Sequence, residues 1–242
     1  MIIQAVLLVS ALASGPSPSC EPGVFDSLSQ DLQPDRTIVE NRARIERRCL
    51  DEDTELDEFF LLNADGATVF RGLSIVAWTP DRSASRTLWL MLGDPGHTEF
   101  TTLVLDGVGY SLGGGFDGSG DFLERSETRW TDEGVFLDLD RSFDSGRYWV
   151  SNFSESVTAR REGEFPRPLA PLVDGLAANA DHEDVVALLD GRMAMTVDNH
   201  PDQGRLITLS ALYADGDEDI LRELVWSPFT GRIVEVRHQA LD

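Results

Sequence analysis

Lysine is absent from this 242-residue chain, in which every one of the 20 basic side chains is arginine. Schiff-base and pyridoxal phosphate chemistry, a Walker A loop and a Ser-x-x-Lys hydrolase all need a lysine, so none of them is available. Cysteine is nearly absent as well. Cys20 and Cys49 are too few for a Cys-rich zinc site or an iron–sulfur cluster, and no Cys-x-x-Cys occurs. The four histidines, His97, His182, His200 and His238, form no pair at i, i+2 or i, i+4, so spacing alone supplies no metal site. Positive charge is scarce: 43 acidic against 20 basic residues leave a formal charge of −23, which repels a polyanion such as DNA or RNA. No cofactor, no metal and no nucleic-acid partner is expected. What is present is 41% hydrophobic residues, enough for a packed core in one domain of barrel size or two smaller ones.

Residues 1–13, MIIQAVLLVSALA, carry no charged side chain and end in Ala11-Leu12-Ala13, the small-x-small pattern read by signal peptidase. The expectation is a signal peptide cleaved before Ser14 and a periplasmic or secreted protein. The apolar run is too short to span a bilayer, so no membrane span is expected. Ser17-Pro18-Ser19 ahead of Cys20 does not suit lipidation. In an exported chain Cys20 and Cys49 read as a disulfide, which closes a loop contributing roughly 3 kcal/mol. Two unpaired thiols are the alternative.

After an N-terminal arm at 14–35, residues 36–163 break into short alternating runs bounded by Gly, Pro and Asp. Strands are expected near 37–49, 57–63, 67–78, 86–92, 98–106, 109–116, 122–130, 135–140, 147–152 and 156–161. Turns are expected at Asn63-Ala64-Asp65-Gly66, Asp106-Gly107 and Asp144-Ser145-Gly146, among others. So many antiparallel strands hide their edges by closing, which predicts a mainly β fold built on an antiparallel up-and-down β-barrel. Residues 164–180 (Pro166, Pro168, Pro171) read as a linker. Residues 181–242 read as a small C-terminal α+β unit. It holds a short helix from Asp181 to Leu189 and strands near 192–198, 205–214, 220–227 and 231–238. Its edge strands offer a route to a homodimer.

The first expected strand places Glu40, Arg42, Arg44, Glu46 and Arg48 on a solvent face, and Asn41, Arg47 and Cys49 inward with Val39, Ala43 and Ile45. An inward Arg47 needs a partner, either a ligand or a carboxylate such as Asp138 or Asp140. In 122–130 either Arg125 and Arg129 line the interior, suited to a carboxylate or phosphate headgroup, or Phe122 and Trp130 do. Trp89, Tyr110, Trp130 and Trp149 are candidates to line a pocket.

Other motifs carry less. Gly113-Gly114-Gly115 lacks the lysine and following helix of a phosphate loop. Asp215-Gly216-Asp217-Glu218-Asp219 starts like a calcium loop but has Ile220 and Trp226 where Gly and Glu are needed. Asp138 and Asp140 share a strand face, a geometry compatible with glycosidase-like chemistry but common on so acidic a surface.

The hairpin succession, the run Phe70-Arg71-Gly72-Leu73, and Ser142-Phe143-Asp144-Ser145-Gly146-Arg147-Tyr148-Trp149 with Ala159-Arg160-Arg161 resemble exported bacterial calycin-like (lipocalin-like) barrel domains of uncharacterised function. The resemblance spans residues 36–162 and implies a barrel with room for a small molecule; it transfers no catalytic residue. Two functional readings stay open. One is a non-catalytic barrel binding a small apolar or carboxylate ligand through Asn41, Arg47, Trp89, Tyr110, Arg125 and Trp130. The other is a filled barrel acting as a scaffold or protein-interaction module. Hydrolase chemistry is the least supported. Inward arginines without carboxylate partners favour the ligand; paired ones favour the scaffold.

Overall fold

Alternating side chains and glycine-bearing turns give strands throughout the computed structural model. It describes residues 16, 19–32, 37–92, 96–117, 120–131, 134–147, 149–160, 193–215 and 218–241. The chain divides into two compact units.

The first unit holds β1 (Gly23–Leu32), β2 (Ile38–Cys49), β3 (Thr54–Leu62), β4 (Thr68–Trp78), β5 (Ala84–Met91), β6 (His97–Leu105), β7 (Val108–Asp117), β8 (Gly120–Thr131), β9 (Gly134–Ser142) and β10 (Val150–Arg160). Each strand neighbours the next in sequence, and β1 pairs antiparallel with both β2 and β10, closing the sheet. Up-and-down order follows from the turns. Asp106 and Gly107 take φ of 52° and 78°, the left-handed pair that a two-residue hairpin with the twist of its strands requires, and they join β6 to β7 directly.

Two details depart from the sequence-based expectation. The stretch expected as an arm contains β1, the strand that completes the barrel. The strands expected at 147–152 and 156–161 are one strand, β10, with an irregularity between Ser151 and Phe153.

The inner face is read from register. Phe25, Ile45 and Phe59 lie opposite one another across β1, β2 and β3, and they pack with Ala43, Val76, Trp78, Phe100, Trp130, Val135, Leu137 and Leu139 in one buried cluster. On β8 the buried set is Phe122, Glu124, Ser126, Thr128 and Trp130, alternating with the more exposed Leu123, Arg125, Glu127 and Arg129. The Phe and Trp face therefore points inward, as their larger apolar area favours.

The second unit is a four-stranded antiparallel sheet in the order β11 (Met193–His200), β12 (Gly204–Asp215), β13 (Glu218–Ser227) and β14 (Arg232–Leu241). Met195, Leu209 and Leu224 are cross-strand neighbours, as are Ile207 and Trp226, and all five are buried on one face. The described part of this unit is strand alone, so its expected α+β character is not supported. Alternation identified its strands; the helix expected from Asp181 to Leu189, the linker at 164–180 and the signal peptide at 1–13 lie outside the described residues.

Candidate functional site

Arg47 is the residue on which the two readings divide. It faces inward from β2, 3% exposed, and its register partner across the β2–β3 hairpin is Asp57. The pair is bidentate, Nε donating to Oδ1 and Nη2 to Oδ2, each at 2.7 Å. Nη1 lies 3.5 Å from Glu55, two residues back on the same inner face. A second arginine reaches the same carboxylate from the β4–β5 turn. Arg82, with φ of 56°, donates from Nη1 to Glu55 Oε1 at 2.8 Å and from Nη2 to the Glu52 carbonyl at 2.6 Å. The cluster thus combines two guanidinium groups and two carboxylates, all buried. The rings of Phe25 and Trp78 lie 5.2 and 5.3 Å from the Arg47 and Arg82 guanidinium carbons.

Electrostatics follow from this packing. Burial by itself lowers the proton affinity of Arg47, but Asp57 and Glu55, with the Asp57 hydrogen bonds, outweigh it and hold the guanidinium above its ordinary range. Burial pushes the Asp57 carboxyl up, Arg47 pulls it back, and the neighbouring Glu55 adds to the rise. The cluster's own carboxylates neutralise Arg47. The expected partners Asp138 and Asp140 instead face outward, Asp140 bonding Arg125 and Asp138 lying 3.9 Å from Arg129.

Beside this cluster the chain is stapled. The Cys20–Cys49 disulfide, Cα atoms 5.8 Å apart, ties the residues ahead of β1 to the end of β2, and the Cys20 amide donates to the Glu52 carbonyl at 3.0 Å. Glu52 therefore receives both the N-terminal segment and Arg82.

A second inner ion pair joins β8 to β9. Arg141, 3% exposed, donates from Nε to Glu124 Oε1 at 2.7 Å, and its guanidinium sits 4.0 Å from the Phe122 ring centroid. Between the charged groups, glycines of β7 lie under large rings. A Cβ at Gly109 would stand 2.7 Å from Trp130 Cη2, and one at Gly113 would stand 2.7 Å from Phe100 Cδ1. Gly109 is what lets the Trp130 ring lie across β7, while at Gly113 the Glu99 carbonyl leaves no room for a Cβ even before the Phe100 ring is met. Ser85, Thr102, Ser111 and Ser126 form one inward row across β5–β8, with Thr102 and Ser111 hydroxyls 2.8 Å apart. The buried hydroxyls of Ser126 and Thr128 make no hydrogen bond with the protein.

Of the residues expected to line a pocket, Asn41, Arg47, Trp89 and Trp130 share the inner face, Trp89 and Trp130 being fully packed. Tyr110 and Arg125 do not join them. Tyr110 is 47% exposed on the outer face of β7, and Arg125 lies on the outer face of β8 with its guanidinium 4.6 Å from the Trp149 ring. Their alternation is opposite to that of the buried Ser111, Glu124 and Ser126, so strand parity sends them outward. Trp149 accompanies Arg125 outside.

The outer face of β2 is less open than its charges suggest. Glu46 is buried, and Arg48 donates to Glu58 at 2.9 Å while Arg71 bonds the other oxygen of Glu58. An open recess of about 810 Å³ lies along β1–β3 and the β3–β4 turn, bordered by Ser27, Leu28, Glu40, Arg42, Ala43 and Asn63. Farther round, Leu103 and Leu105 on β6 with Tyr110 and Leu112 on β7 expose a contiguous apolar surface, each of the four between 47% and 61% exposed.

Reasoning from sequence missed Asp57, Glu55 and Arg82. A signal for Asp57 is present: with a turn at 51–53, Arg47 and Asp57 are equidistant from the hairpin tip. Among the described residues no group of three or more metal-ligating side chains occurs. No protein-family model and no curated protein matches the chain.

Proposed function

We propose that this protein is an exported, non-catalytic filled barrel that serves as a scaffold or protein-interaction module. The observation that carries the reading is the neutralisation of Arg47 by Asp57 and Glu55, because an arginine kept for a ligand would not have two carboxylates of its own. Interlocking of Trp130 and Phe100 with Gly109 and Gly113 supports it. So does the outer surface of Leu103, Leu105, Tyr110 and Leu112, since apolar area in one patch marks contact sites more often than idle surface. The Cys20–Cys49 disulfide supports export to the periplasm or beyond. A calycin-like relationship fits the closed up-and-down order, although ten strands exceed the eight of lipocalins.

A binding barrel is the second reading, favoured by one observation: the unbonded hydroxyls of Ser126 and Thr128 suit a small polar guest better than an apolar one. Tryptophan fluorescence titration with a long-chain fatty acid and with a small polyol tests both. The scaffold reading expects no saturable change with either; one-to-one saturation with one of them would overturn it.

A further inference from the structure

Three rows of side chains cross the outer face of β6 and β7. Leu105 stands opposite Val108, Leu103 opposite Tyr110 and Thr101 opposite Leu112. Leu103, Leu105, Tyr110 and Leu112 are 52%, 59%, 47% and 61% exposed, while the alternating neighbours Thr102 and Ser111 are buried inside. Apolar area gathered in this way is left in water at a free-energy cost that contact with another apolar surface removes.

The spacing of the rows selects the shape of the partner. Side chains two apart on a strand repeat every ~6.6 Å, and one turn of α-helix, from i to i+4, advances about 6 Å. A helix laid along β6 and β7 with apolar residues at i, i+4 and i+7 or i+8 therefore meets the three rows in turn. A strand has no edge to join here, because β6 is bonded to β5 and β7, and β7 to β6 and β8.

Charge selects the partner's composition. The row of Leu103 and Tyr110 continues into Glu127 on β8 and Asp138 on β9. Arg129 donates to Glu127 at 2.7 Å, and Arg125 bonds Asp140 at 2.8 Å. Asp138, its side chain 64% exposed, has no cation nearer than Arg129 at 3.9 Å among the described residues. This flank thus sets Glu127, Asp138 and Asp140 against Arg125 and Arg129, an excess of one negative charge on a chain whose total is −23. Two strand spacings, about 10 Å, separate Tyr110 from Asp138, within reach of a lysine or arginine on the flank of a helix lying over Tyr110. A second copy of this chain, or an acidic partner, meets repulsion instead.

We propose that the outer face of β6 and β7 docks an amphipathic basic helix of a partner protein, its apolar stripe on Leu103, Leu105, Tyr110 and Leu112 and a lysine or arginine at Asp138. This deepens the interaction-module reading by naming the kind of partner, and it rests on that reading. The two fail separately. A guest found in the barrel would overturn the filled barrel and leave this surface standing, whereas a surface that binds no helix leaves the titrations of the interior as they are.

Fluorescence anisotropy of a labelled Leu/Lys peptide, a helix of about four turns with its leucines on one face, measures binding to the full disulfide-bonded chain. Saturable binding is expected, weakened at least about tenfold by Leu105→Ser or Leu112→Ser and about threefold by Asp138→Asn. Phe229→Ser, at a residue 77% exposed on the second unit, is expected to change nothing. A Leu/Glu helix of the same leucine spacing is expected to bind at least about tenfold more weakly than the Leu/Lys helix. Circular dichroism confirms that each variant is folded. Absence of binding, equal binding of the two helices, indifference to Asp138→Asn, or losses no larger at Leu105 and Leu112 than at Phe229 overturns the proposal. So does a chain that leaves the helix unbound but binds phosphatidylcholine vesicles through Leu105 and Leu112, which assigns the surface to lipid.

Discussion

Replacing Arg47 by alanine separates a structural arginine from a ligand-holding one. Its side chain is 4% exposed and those of Asp57 and Glu55 are 1% exposed, so the change leaves two buried carboxylates with Arg82 as their remaining arginine. Removing one partner of a buried pair costs about 3–5 kcal/mol, a large share of a stability of about 5–15 kcal/mol. Arg125→Ala is the control. Its pair with Asp140 is 52% and 31% exposed, and exposed pairs contribute about 0–1 kcal/mol. Replacing Arg47 by Met together with Asp57 by Leu removes both charges and leaves Arg82 on Glu55, so most of the loss is recovered. The penalty of the single variant shrinks as pH falls, because burial already raises the Asp57 carboxyl and a protonated Asp57 leaves no stranded charge. Urea unfolding of the four proteins at two pH values measures all of this. If Arg47→Ala is as mild as Arg125→Ala, or stabilises the protein, the argument from pairing fails, and an arginine held ready for a ligand becomes the better account.

Three smaller predictions come from other parts of the barrel. Gly109→Ala pushes a methyl group against Trp130 and destabilises by about 1–3 kcal/mol in the same unfolding assay, while no change would mean the interior has slack. Replacing Cys20 and Cys49 together by serine removes a cross-link between residues 29 apart and costs about 3.5 kcal/mol by the chain-entropy argument. A loss under 1 kcal/mol would show that the N-terminal segment is held by other contacts. Asp81, at the β4–β5 turn, accepts hydrogen bonds from the Thr79 hydroxyl and from the Ser83 hydroxyl and amide, which lower its carboxyl to about 2. Its folded value is below the unfolded one, so its contribution is complete above about pH 4 and fades as pH falls through about 2. A carboxyl titration by NMR with a midpoint near 4 would contradict this.

Much of the barrel was legible because its turns are. Asp106-Gly107 and Asp144-Ser145-Gly146 mark reversals by backbone requirement, and the strands between them are bounded accordingly. β1 was missed for a physical reason. Its inward positions include Ser27 and Ser29 beside Phe25, whereas Leu28 points out, so the hydrophobic alternation that announces a half-buried strand is inverted. The inner face of β8 is similarly quiet, with Glu124, Ser126 and Thr128 between Phe122 and Trp130. Alternation in β2 places Arg47 inward, but its partner lies across the hairpin at Asp57 rather than at Asp138 or Asp140. Arg82 left no local trace, since its role depends on a turn folding back over β3. Residue type makes Tyr110 a pocket candidate and leaves either face of 122–130 open, with Arg125 or with Trp130 inward; strand parity puts Tyr110 and Arg125 outside.

Native mass spectrometry of the disulfide-bonded chain, purified from an oxidising compartment without added ligand and then denatured, tests the filled barrel most directly. The expected mass is that of one chain, or a whole multiple of it, with nothing else bound. A small molecule that travels with the native protein and leaves on denaturation would contradict the account and identify the class of guest the barrel holds.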